Sequence, residues 1–474
     1  MQNLLNFTFE NIDKYIGANE NKSAGLLDFK SPAELNKLVD FAVGENGLQE
    51  GEFKEALKNY LDYSVNTGHK QFLNQLYSGF NLPAFIGEMI TALTNTSMYT
   101  YEVAPMATMI EKEMIRLMNS FVGYTDGDGI FTSGGSNGNL LAMLSARNKL
   151  FPEGRFTGYE NRLKLKAFVS DQAHYSFETA ANIIGIGSKN VVKVQSDKNG
   201  KMIPAALERA IKKSLEMGET PFFVAATCAT TLLGAYDPID QMSEICRKYN
   251  LWLHADGSFG GSLIISKKHR HLIKGLEQTD SFVWNPHKLM NIPLVCSTFL
   301  VKNKDTLYKN ITDINTDYIF HNIDAVEDLG KKSIQCGRRV DAVKLWFAWK
   351  YYGKNGYENR INHSMSMAKY AEEKVKSHPS LELLADRQSF AVCFRYIPEY
   401  KTDINEFNLK VREKLRKEGK TIVNYGFHGK TLAIRLVIAN AELQKEDIDL
   451  FFHYFTTAAK ELSNIKQMEN EFIS

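Results

Sequence analysis

PFFVAATCATTLLGAYDPIDQMSEICRKYNLWLHAD, residues 221–256, is the stretch whose reading decides the fold. PFFVAAT (221–227) is a short apolar run that reads as a buried strand. DQMSEICRKYN (240–250) reads as a helix, and LWLHAD (251–256) as the next strand. A strand, a helix and a strand in succession make a βαβ unit, whose two strands lie parallel in one sheet.

The same alternation extends to both sides. Upstream, LKAFVSD (165–171) reads as a strand, QAHYSFETAANIIGI (172–186) as a helix, NVVKVQS (190–196) as a strand and PAALERAIKKSLEMG (204–218) as a helix. Downstream, SFVWNP (281–286) and STFLVKN (297–303) read as strands. A Gly-rich turn, TSGGSNGN (132–139), leads into the helix LLAMLSARNKLF (140–151). Repeated units of this kind predict an α/β fold with a mostly parallel central sheet flanked by helices. Residues 32–80 and 83–123 carry helical periodicity. Beyond about residue 345, helices at 361–376, 405–418 and 445–464 alternate with SFAVCFRY (389–396) and TLAIRLVIAN (431–440). The expected division is an N-terminal helical segment, 1–80, a large α/β domain, 81–350, and a small C-terminal α+β domain, 351–474.

Composition narrows the function. The 474 residues are 44% hydrophobic and 24% charged, an ordinary globular balance. With 57 basic against 55 acidic side chains and a net charge of +2, no nucleic-acid or anionic-membrane partner is expected. The five cysteines are scattered without CxxC spacing, which fits reduced thiols rather than a disulfide framework or a zinc cluster. No run approaches the ~20 apolar residues of a membrane span. The N-terminus does not read as a signal peptide, so a soluble, cytoplasmic protein is expected.

In open parallel sheets, ligands sit beyond the carboxyl ends of the strands. Several polar residues fall at such ends: His174 after LKAFVSD, Thr227 after PFFVAA, Asp256 after LWLHA, and Asn285, His287 and Lys288 in DSFVWNPHKLMN (280–291). The Gly-rich turn adds a helix N-terminus, where amide groups and the helix dipole favour an anion. An amine, a carboxylate, an imidazole and an anion cradle together suit pyridoxal phosphate chemistry, in which desolvation favours the neutral, nucleophilic lysine. Taken singly, each has a plainer reading, as a turn, a strand cap or a satisfied histidine.

The chain also resembles the group II pyridoxal-phosphate-dependent amino-acid decarboxylases, in the branch of the glutamate and cysteine sulfinate (aspartate) enzymes. The resemblance runs from about residue 60 to 440 and rests on TGHKQFLNQLYSG, NTSMYTYEVAP, DGDGIFTSGGSNGN, QAHYS, YNLWLHADGSFGG, SKKHRHLIKGLE, DSFVWNPHK and IQCGRRVD. It implies the transferase-like fold type I and a homodimer with its active site at the subunit interface. It also implies that Lys288 is the Schiff-base lysine, that Asp256 pairs with the pyridinium nitrogen and that His174 stacks on the ring. Ser136, Asn137, Asn285 and His287 would hold the phosphate, with Thr227 and Ser258 close to the ring. Two departures stand out: Asp256-Gly257-Ser258 where Asp-Ala-Ala is usual, and Thr227-Cys228-Ala229-Thr230 where Thr-Ala-Gly-Thr is usual.

Tyr318, in NTDYIFHNIDAVEDLGKK, matches the loop tyrosine that protonates the carbanion after CO2 leaves. Arg435 in TLAIRLVIAN matches the arginine that grips the distal acid group of the substrate, a task suited to a guanidinium fork. Gln75, Tyr77, Ser97 and Tyr99 match positions lining the substrate pocket. Two phenols there narrow it, which favours cysteine sulfinate (to hypotaurine) or aspartate (to β-alanine) over glutamate (to γ-aminobutyrate). The plainer readings stay open: Tyr318 as a packing aromatic, Arg435 as a strand arginine paired with a surface acid, and the pocket aromatics as core.

Overall fold

The computed structural model describes residues 2–21, 25–158, 164–311, 318–321 and 327–473, with the side chains of 466–473 outside the description. The chain forms two compact units. One comprises 81–363 and 385–389, and the other comprises 1–80, 364–384 and 390–474.

The larger unit is built on a seven-stranded sheet. Its strands, in spatial order, are Asp128–Thr132, Ser297–Val301, Ser281–Trp284, Trp252–Gly257, Thr220–Thr227, Leu165–Ser170 and Val191–Val194. All the pairings from Ser281–Trp284 to Val191–Val194 are parallel, as the βαβ reading requires. Ser297–Val301 runs antiparallel to both of its neighbours. The reason is local. Residues 285–296, which connect it to Ser281–Trp284, hold no crossover helix, and without one the chain returns in the opposite direction. The edge strand Asp128–Thr132 lies in a segment that sequence periodicity did not resolve as a strand. The helix Gly135–Leu150 packs on one face of the sheet so closely that a methyl at Gly138 would stand 2.5 Å from Val283 Cγ2. The strands facing it are buried on both sides, with Phe168, Phe223, Phe282 and Phe299 wholly enclosed.

The periodic block 83–123 is two helices, Leu82–Thr94 and Pro105–Val122. Asn95, in the left-handed region at φ 48°, closes the first, and Pro105 opens the second.

The second unit holds a five-stranded sheet. Phe72–Leu73 pairs with Ile422–His428, followed by Thr431–Val437, Ala391–Tyr396 and Leu381–Leu383. Helical periodicity within 32–80 is realised in Pro32–Leu38, where Ser31 and Glu34 form a capping box, and in Glu50–Asp62. From there to Phe80 the chain gives up helix for turns and the short strand Phe72–Leu73, which adds in parallel to Ile422–Val423. Val392, Phe394, Ile434, Leu436, Phe451 and Phe455 fill the core of this unit. Among the described residues, no helix is long and apolar enough to cross a membrane, and no group of three or more His, Cys, Asp or Glu side chains could hold a metal.

Candidate active site

Strand ends in the larger unit bring one group of the predicted residues together. Thr227 and Asp256 are register partners at the ends of adjacent parallel strands. Asp256 is buried, and three hydrogen bonds fix its carboxylate: from the Ser258 amide to Oδ1 at 3.0 Å, from Asn139 Nδ2 to Oδ2 at 2.9 Å, and from the Ser258 side chain. Burial pushes its pKa up, but these bonds and neighbouring His254 outweigh it, so the carboxyl stays below its ordinary range and ionised.

His174 is half-buried and held by the Ser176 amide, which donates to Nδ1 at 3.3 Å. Burial lowers its pKa. The charges of Asp256 and Lys288 act on the same ring in opposite directions, which ties these three residues to one neighbourhood. The ring is therefore a neutral, flat surface near neutral pH.

Lys288 is half-buried in a tight turn, its amide donating to the Asn285 carbonyl at 3.0 Å. His287, the residue before it, is buried. Burial and the charge of Lys288 drive the imidazole pKa down to about 3, and Nδ1 lies 2.6 Å from the Cys296 carbonyl. Asn285 is fixed by Ser297 Oγ, which donates to its Oδ1 at 2.7 Å.

The Gly-rich turn closes on the same place. Gly134 takes φ 132°, a conformation that a side chain would strain, and starts the helix with no side-chain cap and no acid in its first turn. A methyl at Gly135 would stand 2.3 Å from Ser258 Oγ and 2.9 Å from Asn285 Nδ2. Backbone, Ser258 and Asn285 thus crowd together at the helix start, with Ser136 exposed and Asn137 half-buried on the next helical positions.

Thr227 Oγ1 is buried without a hydrogen-bond partner among the described residues. Its amide is held by Asp237 Oδ2 at 2.8 Å, so the hydroxyl sits on a fixed backbone. An unsatisfied buried hydroxyl costs about 1–3 kcal/mol unless a ligand meets it. This orphan, the open helix start, the Gly135 cradle, an ionised buried carboxylate and an amine fit pyridoxal phosphate.

Ser97 and Tyr99 lie in the same unit on a strap that the sequence reading did not explain. Arg338 donates through its amide to Ser97 Oγ at 3.2 Å and through Nη2 to the Met98 carbonyl at 3.3 Å. Its guanidinium is buried against Glu111 at 2.7 Å. The Gly330 amide donates to the Tyr99 carbonyl at 2.9 Å.

In the other unit, Arg435 stands mid-strand, paired in register with Cys393 and Asn424. It is buried, and burial lowers its pKa. Nη2 donates to the Asn74 carbonyl at 3.0 Å, which brings the guanidinium to the segment carrying Gln75 and Tyr77. Tyr77 is half-buried and packs on the small cluster of Leu26, Phe72 and Ile422. Tyr318 is not brought to the others: its side chain is 80% exposed. Much of the segment that carries it, 312–317 and 322–326, lies outside the described residues.

Asn139, His254, Arg338 and Glu111 went unread in the sequence. Trp252, His254 and Asp256 alternate along one strand, and that period was the available signal for His254.

Residues 32–397 match the family model described as the pyridoxal-dependent decarboxylase conserved domain. Human cysteine sulfinic acid decarboxylase is 36% identical over 465 residues, covering 95% of this chain and 94% of that protein. The acidic amino acid decarboxylase GADL1 of Bos taurus is 36% identical over 449 residues, covering 92% of this chain and 86% of that protein. The crystal structure of mouse CSAD in apo form superposes with a TM-score of 0.93 at 35% identity, covering 97% of this chain and 98% of that one.

Proposed function

We propose, from the premise that this chain belongs to the pyridoxal-dependent decarboxylase family, that it removes the α-carboxylate of a short acidic amino acid, cysteine sulfinate or aspartate, giving hypotaurine or β-alanine and CO2. The observation that carries the substrate class is the buried Arg435, whose guanidinium is anchored beside Gln75 and Tyr77. A fork of donors held in place recognises a carboxylate or sulfinate in two-point fashion. The names of the 36%-identical relatives, cysteine sulfinic acid decarboxylase and acidic amino acid decarboxylase, support the same class.

Bound pyridoxal phosphate supplies an electron sink for the pair left behind when the α-carboxylate departs. The side chains divide the remaining work. Lys288 would provide the amine that holds the cofactor's aldehyde carbon. Asp256, kept ionised, would hold a proton on the ring nitrogen. His174, neutral, would cover the ring. Ser136 and Asn137 at the helix start, with Asn285 and His287, would hold the phosphate, with Thr227 and Ser258 close to the ring. Tyr318 would deliver a proton to the α-carbon. Tyr77, Ser97 and Tyr99 limit the length of the acid, at about 1–3 kcal/mol per methylene.

The working form is proposed to be a cytoplasmic homodimer with its active site at the subunit interface. Support for a second copy comes from the helix Leu82–Thr94, which exposes Leu82, Ile86, Ile90 and Leu93 along one stripe. The described cysteines form no disulfide, which supports a reducing compartment.

The deciding experiment supplies aspartate, cysteine sulfinate and glutamate at equal concentration and measures each amine product. One of the two shorter acids is consumed fastest. If glutamate leads, the pocket argument is wrong and the chain is a glutamate decarboxylase. Lys288→Ala abolishes turnover of all three.

A further inference from the structure

A line of buried side chains runs under the sheet face from Trp252 to Asp256. Trp252, His254 and Asp256 point to the same side of their strand because side chains alternate. Register sets Ser281 of the neighbouring strand opposite His254. The helix Gly135–Leu150 lays Asn139 over both His254 and Asp256.

The hydrogens in this line can be placed from the carboxylate end. Asp256, ionised, can only accept, so Asn139 turns its NH2 to Oδ2 at 2.9 Å and to Ser176 Oγ at 3.0 Å. Its Oδ1 then faces His254 Nε2 at 3.0 Å, and the neutral imidazole carries its hydrogen there. Nδ1 is left to accept from Ser281 Oγ at 2.9 Å, and that oxygen also receives the Trp252 indole hydrogen at 2.9 Å. The reverse amide orientation would set oxygen against carboxylate. His254 is fully buried, with Phe223 stacked on it at 5.9 Å and Phe177 edge-on at 6.2 Å. Burial drives its pKa down to about 4, which keeps the ring in the neutral form that the line requires.

We propose that His254 and Asn139 are positioning residues for decarboxylation: His254 locks the Asn139 amide so that it donates to Asp256, and this holds the carboxylate ionised and aimed at the cofactor's ring nitrogen. The inference rests on the reading that Asp256 faces that nitrogen. Neither residue touches the reacting atoms.

The test reads the ring nitrogen directly, through its NMR shift in the holoenzyme loaded with isotopically labelled pyridoxal phosphate, alongside the cofactor dissociation constant. His254→Phe keeps the aromatic volume and removes the donor. It moves the ring-nitrogen shift toward the unprotonated value and weakens cofactor binding about tenfold. His254→Gln places an amide NH2 where Nε2 stood and restores both readings. A wild-type ring-nitrogen shift in His254→Phe overturns the proposal. Should that variant fail to fold, Asn139→Ala carries the same expectation, and an unchanged shift in it has the same force. Asp256→Ala separates the two readings. If it leaves the shift unmoved, the placement of Asp256 is wrong. If it moves the shift while His254→Phe does not, only the role of His254 and Asn139 is lost.

Discussion

Arg435 Nη2 donates to the backbone oxygen of Asn74 at 3.0 Å, so a guanidinium on one strand is fastened to the segment that carries two other pocket candidates. A charge held this way has little freedom to lose when an acid arrives, and pre-organisation of that kind favours binding.

Arg435→Lys keeps the positive charge and loses the fork. kcat/KM for the preferred acid falls about 10- to 100-fold, the worth of a charge-assisted hydrogen bond. Steady-state kinetics with aspartate and cysteine sulfinate check this; an unchanged kcat/KM would take Arg435 out of substrate recognition.

Tyr318 is tested by the product rather than by the rate. Tyr318→Phe removes the proton donor and leaves the carbanion open to oxygen, so product shifts from amine toward aldehyde. An amine yield equal to wild type, measured by chromatography, would assign the exposed ring to packing alone.

Thr227 hides a hydroxyl that no described protein group satisfies. Thr227→Val replaces it with a methyl of the same shape. The cofactor-free protein melts at the same temperature or higher, by up to about 1 kcal/mol of stability, while cofactor affinity drops several-fold. The opposite pattern, lower stability with unaltered affinity, contradicts a hydroxyl reserved for the cofactor.

Gly135 lies hard against Ser258 and Asn285. Gly135→Ala places a methyl 2.3 Å from Ser258 Oγ and weakens cofactor binding. Ser258→Ala removes the nearest obstructing atom, so the double variant binds better than the sum of the single effects predicts, with a coupling of about 1 kcal/mol or more. Strict additivity in titrations with pyridoxal phosphate argues against a shared cradle.

Acid should weaken the fold through two histidines. His254 and His287 titrate at about 4 and about 3 when folded, against an ordinary value near 6.5. Between those limits the unfolded chain binds protons that the folded chain refuses, so stability is full above about pH 6.5 and declines as pH falls toward 4. His254→Gln removes one of the two groups. Its melting temperature therefore drops less than wild type between pH 7 and pH 5, and an equal drop in both refutes the buried neutral imidazole.

The parallel strands from Leu165–Ser170 to Trp252–Gly257 were legible because each is a short apolar run separated from the next by a helix, and a βαβ unit leaves its mark in local order; Ser281–Trp284, which follows 3-10 turns only, was legible from its apolar run alone. Lys288, Asp256 and Thr227 were legible for a related reason: they follow those runs directly. The antiparallel return of Ser297–Val301 was not, since direction depends on what the connection 285–296 lacks. Strand Phe72–Leu73 was hidden inside helical periodicity because its partner, Ile422–Val423, lies at the far end of the chain. Asn139 escaped for a similar reason. It sits one turn into a helix that reads as polar at its start, and only the packing against His254 and Asp256 gives it a task.

The pairing of Phe72–Leu73 with Ile422–Val423, reinforced by Thr421 Oγ1 donating to the Gln71 carbonyl across 350 positions of sequence, sets an order of events at the ribosome. Strand Phe72–Leu73 has no partner until residues 422–423 have emerged, so the anchor between Arg435 and Asn74 forms long after its first half is made. A nascent chain stopped short of residue 421 carries that strand with an open edge. Premature termination therefore yields a sticky fragment rather than a smaller working enzyme.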